Sequence, residues 1–328
     1  MKHPTYTAKK APAQKSDMDL MKLIVKFDTD EKCRIALEKM RWPEGVRCIR
    51  CGSEKISRNY KRNSFECTPC GYHFTVTAGT IFHDSHLPLR KWFIATYLIC
   101  ESKKGISALQ LKRVLGVAYK TAWYLCHRIR EAVKDADQTL LGLESGFVEA
   151  DEAYIGGRKK WMHKKDIERR GGAYKRMSGK KVVFGAIERG GQVRLQAAGL
   201  DTFTKQQLRD FLKAKLADET KVLSTDGHTF YKGLDDDNTI HVSVDHEMKQ
   251  YVRGLAHTNT LENVWSLFKR SIVGSYHQIS MKHIDRYLDE FEFRFNNRHN
   301  PFLFRDTLLR LLASGNIEYK ELTKEKAA

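Results

Sequence analysis

The sequence predicts a multidomain chain: a small zinc-pinned module, then a helical helix-turn-helix module, then an α/β domain. Three observations point there. Cys48-x2-Cys51 and Cys67-x2-Cys70 are separated by roughly 15 to 20 residues, the spacing of paired zinc knuckles. A helical apolar period occupies Leu87 to Val133. From Phe147 it gives way to short β-rich runs separated by amphipathic helices. At 328 residues and 41% hydrophobic, the chain can bury a sizeable core, and its length suits two or three domains.

In chain order, residues 1–40 comprise a basic tail and a helix patterned over Asp17 to Met40, which "RWPEGVRC" breaks at Pro43. Residues 41–85 alternate short β-like runs with Gly and Asn turns between the two Cys pairs. Each pair sets two thiolates on one tight turn. Cys48, Cys51, Cys67 and Cys70 together close a tetrahedral Zn²⁺ site with no open position, hence a structural metal. Cys33, Cys100 and Cys126 sit in helical patterns without such partners and read as small core residues. Residues 86–140 hold three helices, with breaks at "KKG", Lys103 to Gly105, and "LGV", Leu115 to Val117. The last two have the form of a helix-turn-helix, with its turn at Gly116 and its second helix opening near Ala118. Tyr119, Lys120 and Thr121 then occupy the turn that meets base edges, with Arg128 and Arg130 reaching for phosphates.

The α/β domain spans 145–300. "FVEADEAYIGG" opens it as a strand, and "KKVVFGAIERGGQVRLQAAGL" adds a hairpin turning at Gly190-Gly191. Between them, "GRKKWMHKKDIERRGGAYKRMSGK" reads as a mobile basic loop, either a solvated insertion or a DNA contact. "TFTKQQLRDFLKAKL" is an amphipathic helix capped by Thr202 or Thr204, and "KVLSTDG" and "TIHVSVD" are short strands. In "HTNTLENVWSLFKR" the helical period gathers Leu261, Val264, Trp265 and Phe268 into a buried stripe. It sets Asn259, Glu262, Ser266 and Lys269 along a second face. "SYHQISMKHIDRYLDEFEFRFNNR" ends the domain as a helix with Tyr287, Leu288, Phe291 and Phe295 turned inward, and 301–328 form a C-terminal helix and tail.

Charge narrows the class of partner. Against 40 Asp+Glu stand 58 Lys+Arg, a formal net charge of +18 and a pI of about 9.5, which points to a polyanion, nucleic acid first. No segment approaches the roughly 20 apolar residues needed to span a bilayer, and the N-terminus has no apolar signal core. The expectation is a cytoplasmic protein with no membrane partner. Seven cysteines, four of them in tight pairs, suit a reducing compartment and a metal.

Acids stand out on so basic a scaffold. Alternation along the first strand puts Glu149 and Asp151 on one face, with Val148, Ala150 and Glu152 on the other. Asp226 ends the strand "VLST" just before Gly227, and Glu262 comes from a helix. Brought together, Asp151, Asp226 and Glu262 repel one another unless cations fill the gap. Two Mg²⁺ or Mn²⁺ ions about 4 Å apart answer that repulsion and supply a reaction, in-line displacement at phosphorus. Glu262 then completes the metal site from its helix, and Lys269 holds a phosphate two turns on. Asn259 orients the site, supplies a neutral ligand or caps the helix, while His257 stands behind the ligands or contacts DNA.

These residues resemble a family. The pieces "RWPEGVRCIRCG", "CTPCGYHFTVTAGTIF", "LPLRKWFIA", "VEADEAYIGG", "STDG", "HTNTLENVWSLFKR" and "GSYHQISMKHIDRYLDEFEFRFNNR" are colinear from Arg41 to Arg298. They are similar to the bacterial ISXO-like insertion-sequence transposases, which carry a zinc ribbon ahead of a DDE catalytic domain. The resemblance makes 41–85 the zinc ribbon and implies a ribonuclease-H-like core with divalent metal over 145–300. It implies cut-and-join chemistry: water frees a 3′-hydroxyl at the element's end, and that hydroxyl attacks target DNA. Carried over residue by residue, Asp151 and Asp226 match the two aspartates, Glu262 the third acid and Lys269 the basic residue after it. In parts of the group Asn replaces the third acid. This chain offers both Asn259 and Glu262, and the anion is the stronger Mg²⁺ ligand. The implied partner is double-stranded DNA, at element ends and target, held by a homo-oligomer that joins two ends. Two other readings share these acids: a metal-dependent nuclease or resolvase, and a DNA-binding regulator derived from a transposase.

Overall fold

A computed structural model describes residues 17–134, 138–156, 180–198, 204–226, 231, 233–234, 239–244 and 257–324. The basic loop expected before the second strand lies almost wholly outside the described residues, as does the N-terminal tail. The chain divides into two compact units, one built from Ala13–Lys134 with Asn297–Ala328, the other centred on Asp135–Asn296.

The first unit opens with two helices, α1 (Leu20–Lys26) and α2 (Asp30–Arg41), where one helical run was expected. Thr29 explains the break. Its side chain accepts a hydrogen bond from the Lys32 N–H, and Asp30 and Glu31 follow in the first turn, where the helix dipole favours acids. Strands β1 (Ile56–Asn59), β2 (Ser64–Cys67) and β3 (His73–Phe74) form an antiparallel sheet, with Cys67 ending β2, Cys70 in the turn after it, and Cys48 and Cys51 ahead of β1. Phe65 and Phe74 pack against Trp42 with ring centroids 5.5 and 5.9 Å away.

Helices α3 (Leu89–Glu101), α4 (Ala108–Leu115) and α5 (Tyr119–Ala132) match the three expected runs. Gly116 ends α4 at φ +60°, a left-handed conformation that costs a side-chain-bearing residue energy. The C-terminal segment contributes α9 (Leu303–Ala313) and α10 (Tyr319–Thr323) to this same unit. Phe304 of α9 closes a ring cluster with Phe27 and Phe93, and the Tyr124 hydroxyl donates to the Ile317 carbonyl.

The second unit is a mixed five-stranded sheet of β4 (Phe147–Gly156), β5 (Lys180–Glu188), β6 (Val193–Ala197), β7 (Val222–Asp226) and β8 (Ile240–Val244), in the order β6-β5-β4-β7-β8. β5 lies antiparallel to both β4 and β6, whereas β7 runs parallel to β4 and to β8. Alternation decides which core each residue joins. Ala153, Ile155, Val183 and Ile187 face α7 (Asn259–Ser271) and α8 (Ile284–Asn296), while Val148, Ala150, Phe184 and Ala186 face α6 (Lys205–Lys215). Thr204, one of the two expected caps, closes a capping box with Gln207 at the start of α6. The outer edge of the sheet is covered from α8. Asn296 accepts from the Val193 N–H and donates to its carbonyl, and Glu292 accepts from the Leu195 N–H.

Candidate active site

The pairing of β4 with β7 runs Phe147↔Val222, Val148↔Leu223, Glu149↔Ser224. Continued by two residues, that register sets Asp151 beside Asp226, the last residue of β7. β4 itself runs on to Gly156. Among the described residues β7 ends at Asp226, level with Asp151, while Glu152 follows on β4. Asp151, Glu152 and Asp226 each place a carboxylate oxygen within 4.8 Å of the others.

Burial, followed by the charges of Glu152 and Asp226, pushes the Asp151 carboxyl up to about 7. Burial also raises Glu152, against a hydrogen bond of 2.6 Å that it accepts from the buried Tyr231 hydroxyl. Opposite these acids stands the outward face of α7. Glu262, Trp265, Ser266, Lys269 and Arg270, with Val273 of the following π-helical turn (Ile272–Tyr276), join Asp151 and Glu152 in lining an open cleft of about 540 Å³. The stripe expected to be buried, Leu261, Val264, Trp265 and Phe268, is buried. Trp265 nonetheless reaches the cleft, its indole N–H donating to Asp151 Oδ2 at 3.0 Å.

Asn259 is the first residue of α7, exposed, and does not line the cleft. The capping that was one alternative for it is made by Glu149 instead. This carboxylate is 0% exposed and accepts from the backbone N–H groups of Thr260 (2.9 Å) and Leu261 (3.1 Å) and from the Thr260 hydroxyl (2.9 Å). Arg189 Nε and His257 Nδ1 complete its surroundings at 3.2 and 3.1 Å. His257 therefore stands behind the site, and its burial favours the neutral ring against the pull of Glu149.

In the first unit the four cysteine sulfurs converge. Cys48 Sγ lies 3.6 Å from Cys70 Sγ and Cys51 Sγ 3.5 Å from Cys67 Sγ, and all four fall within 4.8 Å of one another. A tetrahedron with Zn–S bonds of about 2.3 Å has edges of about 3.8 Å. Both knuckles are the same turn: the Gly52 N–H donates to the Cys48 carbonyl and the Gly71 N–H to that of Cys67, with φ of +73° and +64°.

Tyr119, Lys120 and Thr121 are exposed on the first turn of α5, with Lys120 Nζ 4.3 Å from the centre of the Tyr319 ring. Arg128 and Arg130 correct the expectation of phosphate contacts, being only 3% and 2% exposed. Arg128 spends its charge inside the unit. It donates to the His83 carbonyl and to Asn316 Oδ1, and stacks on Trp92 and Tyr124.

The sequence assigned no role in this arrangement to Glu152, Tyr231, Glu149 or the polar end of Trp265. Glu149 and Glu152 had a visible signal, acids flanking Asp151 in "EADEAY".

Residues 144–296 match the model of the ISXO2-like transposase domain, and residues 28–73 match that of a transposase zinc-ribbon domain. An uncharacterized protein in the transposable element ISH50 of Halobacterium salinarum is 30% identical over 278 residues, covering 82% of this chain and 91% of its own. Two solved structures overlap loosely. The Mos1 strand transfer complex gives a TM-score of 0.30 at 13% identity, over 69% of this chain and 78% of that one. A pre-cleavage Mos1 transpososome gives 0.25 at 12% identity, over 66% and 77%.

Proposed function

The chain belongs to the ISXO2-like transposase family, and from that premise we propose that it is a DDE-type transposase which cuts DNA at element ends and joins them to a target. The observation that carries this reading is the meeting of Asp151, Glu152 and Asp226 at one rim of a cleft whose other wall bears Glu262 and Lys269. The sheet order, with three antiparallel strands followed by two parallel to the first, supports a ribonuclease-H-like core.

A donor set of carboxylates alone fits a hard cation, Mg²⁺ or Mn²⁺, and the raised Asp151 carboxyl marks a place where positive charge is wanted. Bound there, such ions supply charge neutralisation at the phosphorus and acidify the attacking hydroxyl. Asp151, Asp226 and Glu262 would hold them, with Glu152 beside. Lys269 binds a non-bridging phosphate oxygen, and its neighbour Arg270 on the same wall adds a second cation. In the first step water oxygen bonds to phosphorus and the 3′ oxygen leaves with a proton. In the second, the oxygen of that 3′-hydroxyl bonds to a target phosphorus, and the target 3′ oxygen leaves with the proton. The four-cysteine centre holds Zn²⁺ structurally, and Tyr119, Lys120 and Thr121 meet DNA from a helix-turn-helix. A homo-oligomer on DNA holds the two ends.

The test is joining. A labelled duplex ending in the element's 3′-hydroxyl, incubated with the protein, target plasmid and Mg²⁺, should give a covalently joined product that Asp151→Ala and Asp226→Ala both abolish. Cutting without joining marks a nuclease instead.

A further inference from the structure

Trp265 belongs by position to the buried stripe of α7, yet its ring ends in a place prepared for it. Gly185 on β5 is the direct cross-strand partner of Asp151. A Cβ at Gly185 would stand 2.5 Å from Cζ2 and 2.7 Å from Cη2 of the Trp265 ring, closer than packed atoms approach. The missing side chain leaves the slot that the edge of the indole occupies while Nε1 donates to Asp151 Oδ2, 3.0 Å away. A tryptophan serving only as core filler has no need of that alignment. An indole N–H can only donate, so it suits a carboxylate that must stay an acceptor.

We infer that Trp265 is a positioning residue for the metal: it commits Asp151 Oδ2 to the indole, fixes the carboxylate's rotation, and leaves Oδ1 as the ligand oxygen beside Glu152 and Asp226. The inference rests on the proposed function only in taking this cluster as the metal site. Ligand-orienting hydrogen bonds of this kind are worth about 10- to 100-fold in metal affinity. Glu149, two residues before Asp151 on β4, fixes the start of the same helix, so one strand aligns α7 at both its first and second turns. The carboxylate that takes the metal thereby also registers the helix that brings Glu262 and Lys269.

The experiment is a Mn²⁺ titration of the full chain in its zinc-loaded form, read by calorimetry and by tryptophan fluorescence. Mn²⁺ held by Asp151 should quench Trp265 saturably. Trp265→Phe keeps most of the ring volume but loses the N–H. It should weaken Mn²⁺ binding about tenfold and remove that quench, although four of the five tryptophans remain. Gly185→Ala keeps the N–H and displaces the ring, and should weaken binding in the same direction. Equal Mn²⁺ affinity in wild type and Trp265→Phe overturns the inference and leaves the proposed function standing. So does Mn²⁺ binding to the wild type, by calorimetry, without quenching. If the wild type binds no Mn²⁺ while Asp151→Asn behaves identically, the metal site itself is overturned and the inference with it.

Discussion

A carboxyl confined beside two other acids works against the fold that confines it. Asp151 titrates at about 7 in the folded chain against an ordinary 3.8, because burial and then Glu152 and Asp226 oppose its charge. Its folded pKa is raised, so the native state binds the proton more tightly than the unfolded one. The contribution to stability is intact below about pH 4 and falls as pH rises toward 7. Asp151→Asn should therefore make the metal-free protein more stable at pH 8, by an amount on the order of a few kcal/mol, with the gain vanishing near pH 4. Thermal melts in chelator at the two pH values check this, and a variant that melts below wild type at pH 8 contradicts it. Metal should reverse the order, since only the acid gains from it. At this scale the sequence was partly legible. Asp151, Asp226, Glu262 and Lys269 are charged residues that a local pattern can place; Asp151, Glu262 and Lys269 line the cleft, and Asp226 lies beside Asp151. Glu152 escaped because strict alternation assigns it to the far face, yet its carboxylate still comes within 4.8 Å of those of Asp151 and Asp226. Arg128 escaped because its partner Asn316 lies 188 residues away, and no local pattern announces a guanidinium buried by a distant tail.

Helices and strands were more readable than the joints between them. The periods that set α3 to α6 and β4 to β7 are local properties of the chain, whereas the capping of α7 is tertiary. Thr258, at the N-cap position, makes no capping hydrogen bond with its side chain, and a buried strand carboxylate does that work. Glu149→Ala should cost about 3 kcal/mol, because two N–H groups of α7 and the Arg189 charge lose their acceptor together. Glu149→Gln, which keeps an acceptor oxygen, should cost less. Urea unfolding of the two variants gives the comparison; equal and small losses would mean that water replaces the cap. The zinc module rests on a different support. Its sheet has strands of four, four and two residues, too little to persist without the metal that ties β2 to the first knuckle. Chelation should raise amide exchange through 45–80 while β4 to β6 stay protected. Coincident loss of protection in both would show that the two units do not unfold separately.

The whole molecule sets its +18 charge against an acidic centre, and the two have opposite relations to DNA. A chain this positive should draw in any duplex by releasing its counterions. If about 6 to 10 phosphates are engaged, affinity for a random duplex should fall by roughly 10³ to 10⁵ between 50 and 200 mM salt. The acid cluster acts the other way. On the proposed reading a phosphodiester enters beside Asp151, Glu152 and Asp226, whose repulsion, without metal, extends to it. Removing two of these acids should then tighten DNA binding in chelator, even though it should end the proposed joining reaction. Fluorescence anisotropy of Asp151→Ala/Asp226→Ala against wild type, first in EDTA restricted to a time that spares the zinc and then in Ca²⁺, separates the contributions. The double variant should bind several-fold more tightly in chelator, about what one or two like-charge contacts cost near a protein surface. Ca²⁺ should close the gap by raising wild type alone, since only wild type retains the ligands. A gap that survives Ca²⁺ unchanged would mean that the acids repel DNA without ever exchanging that repulsion for a bound ion, leaving the charge of the scaffold, and not metal, as what holds the duplex in the cleft.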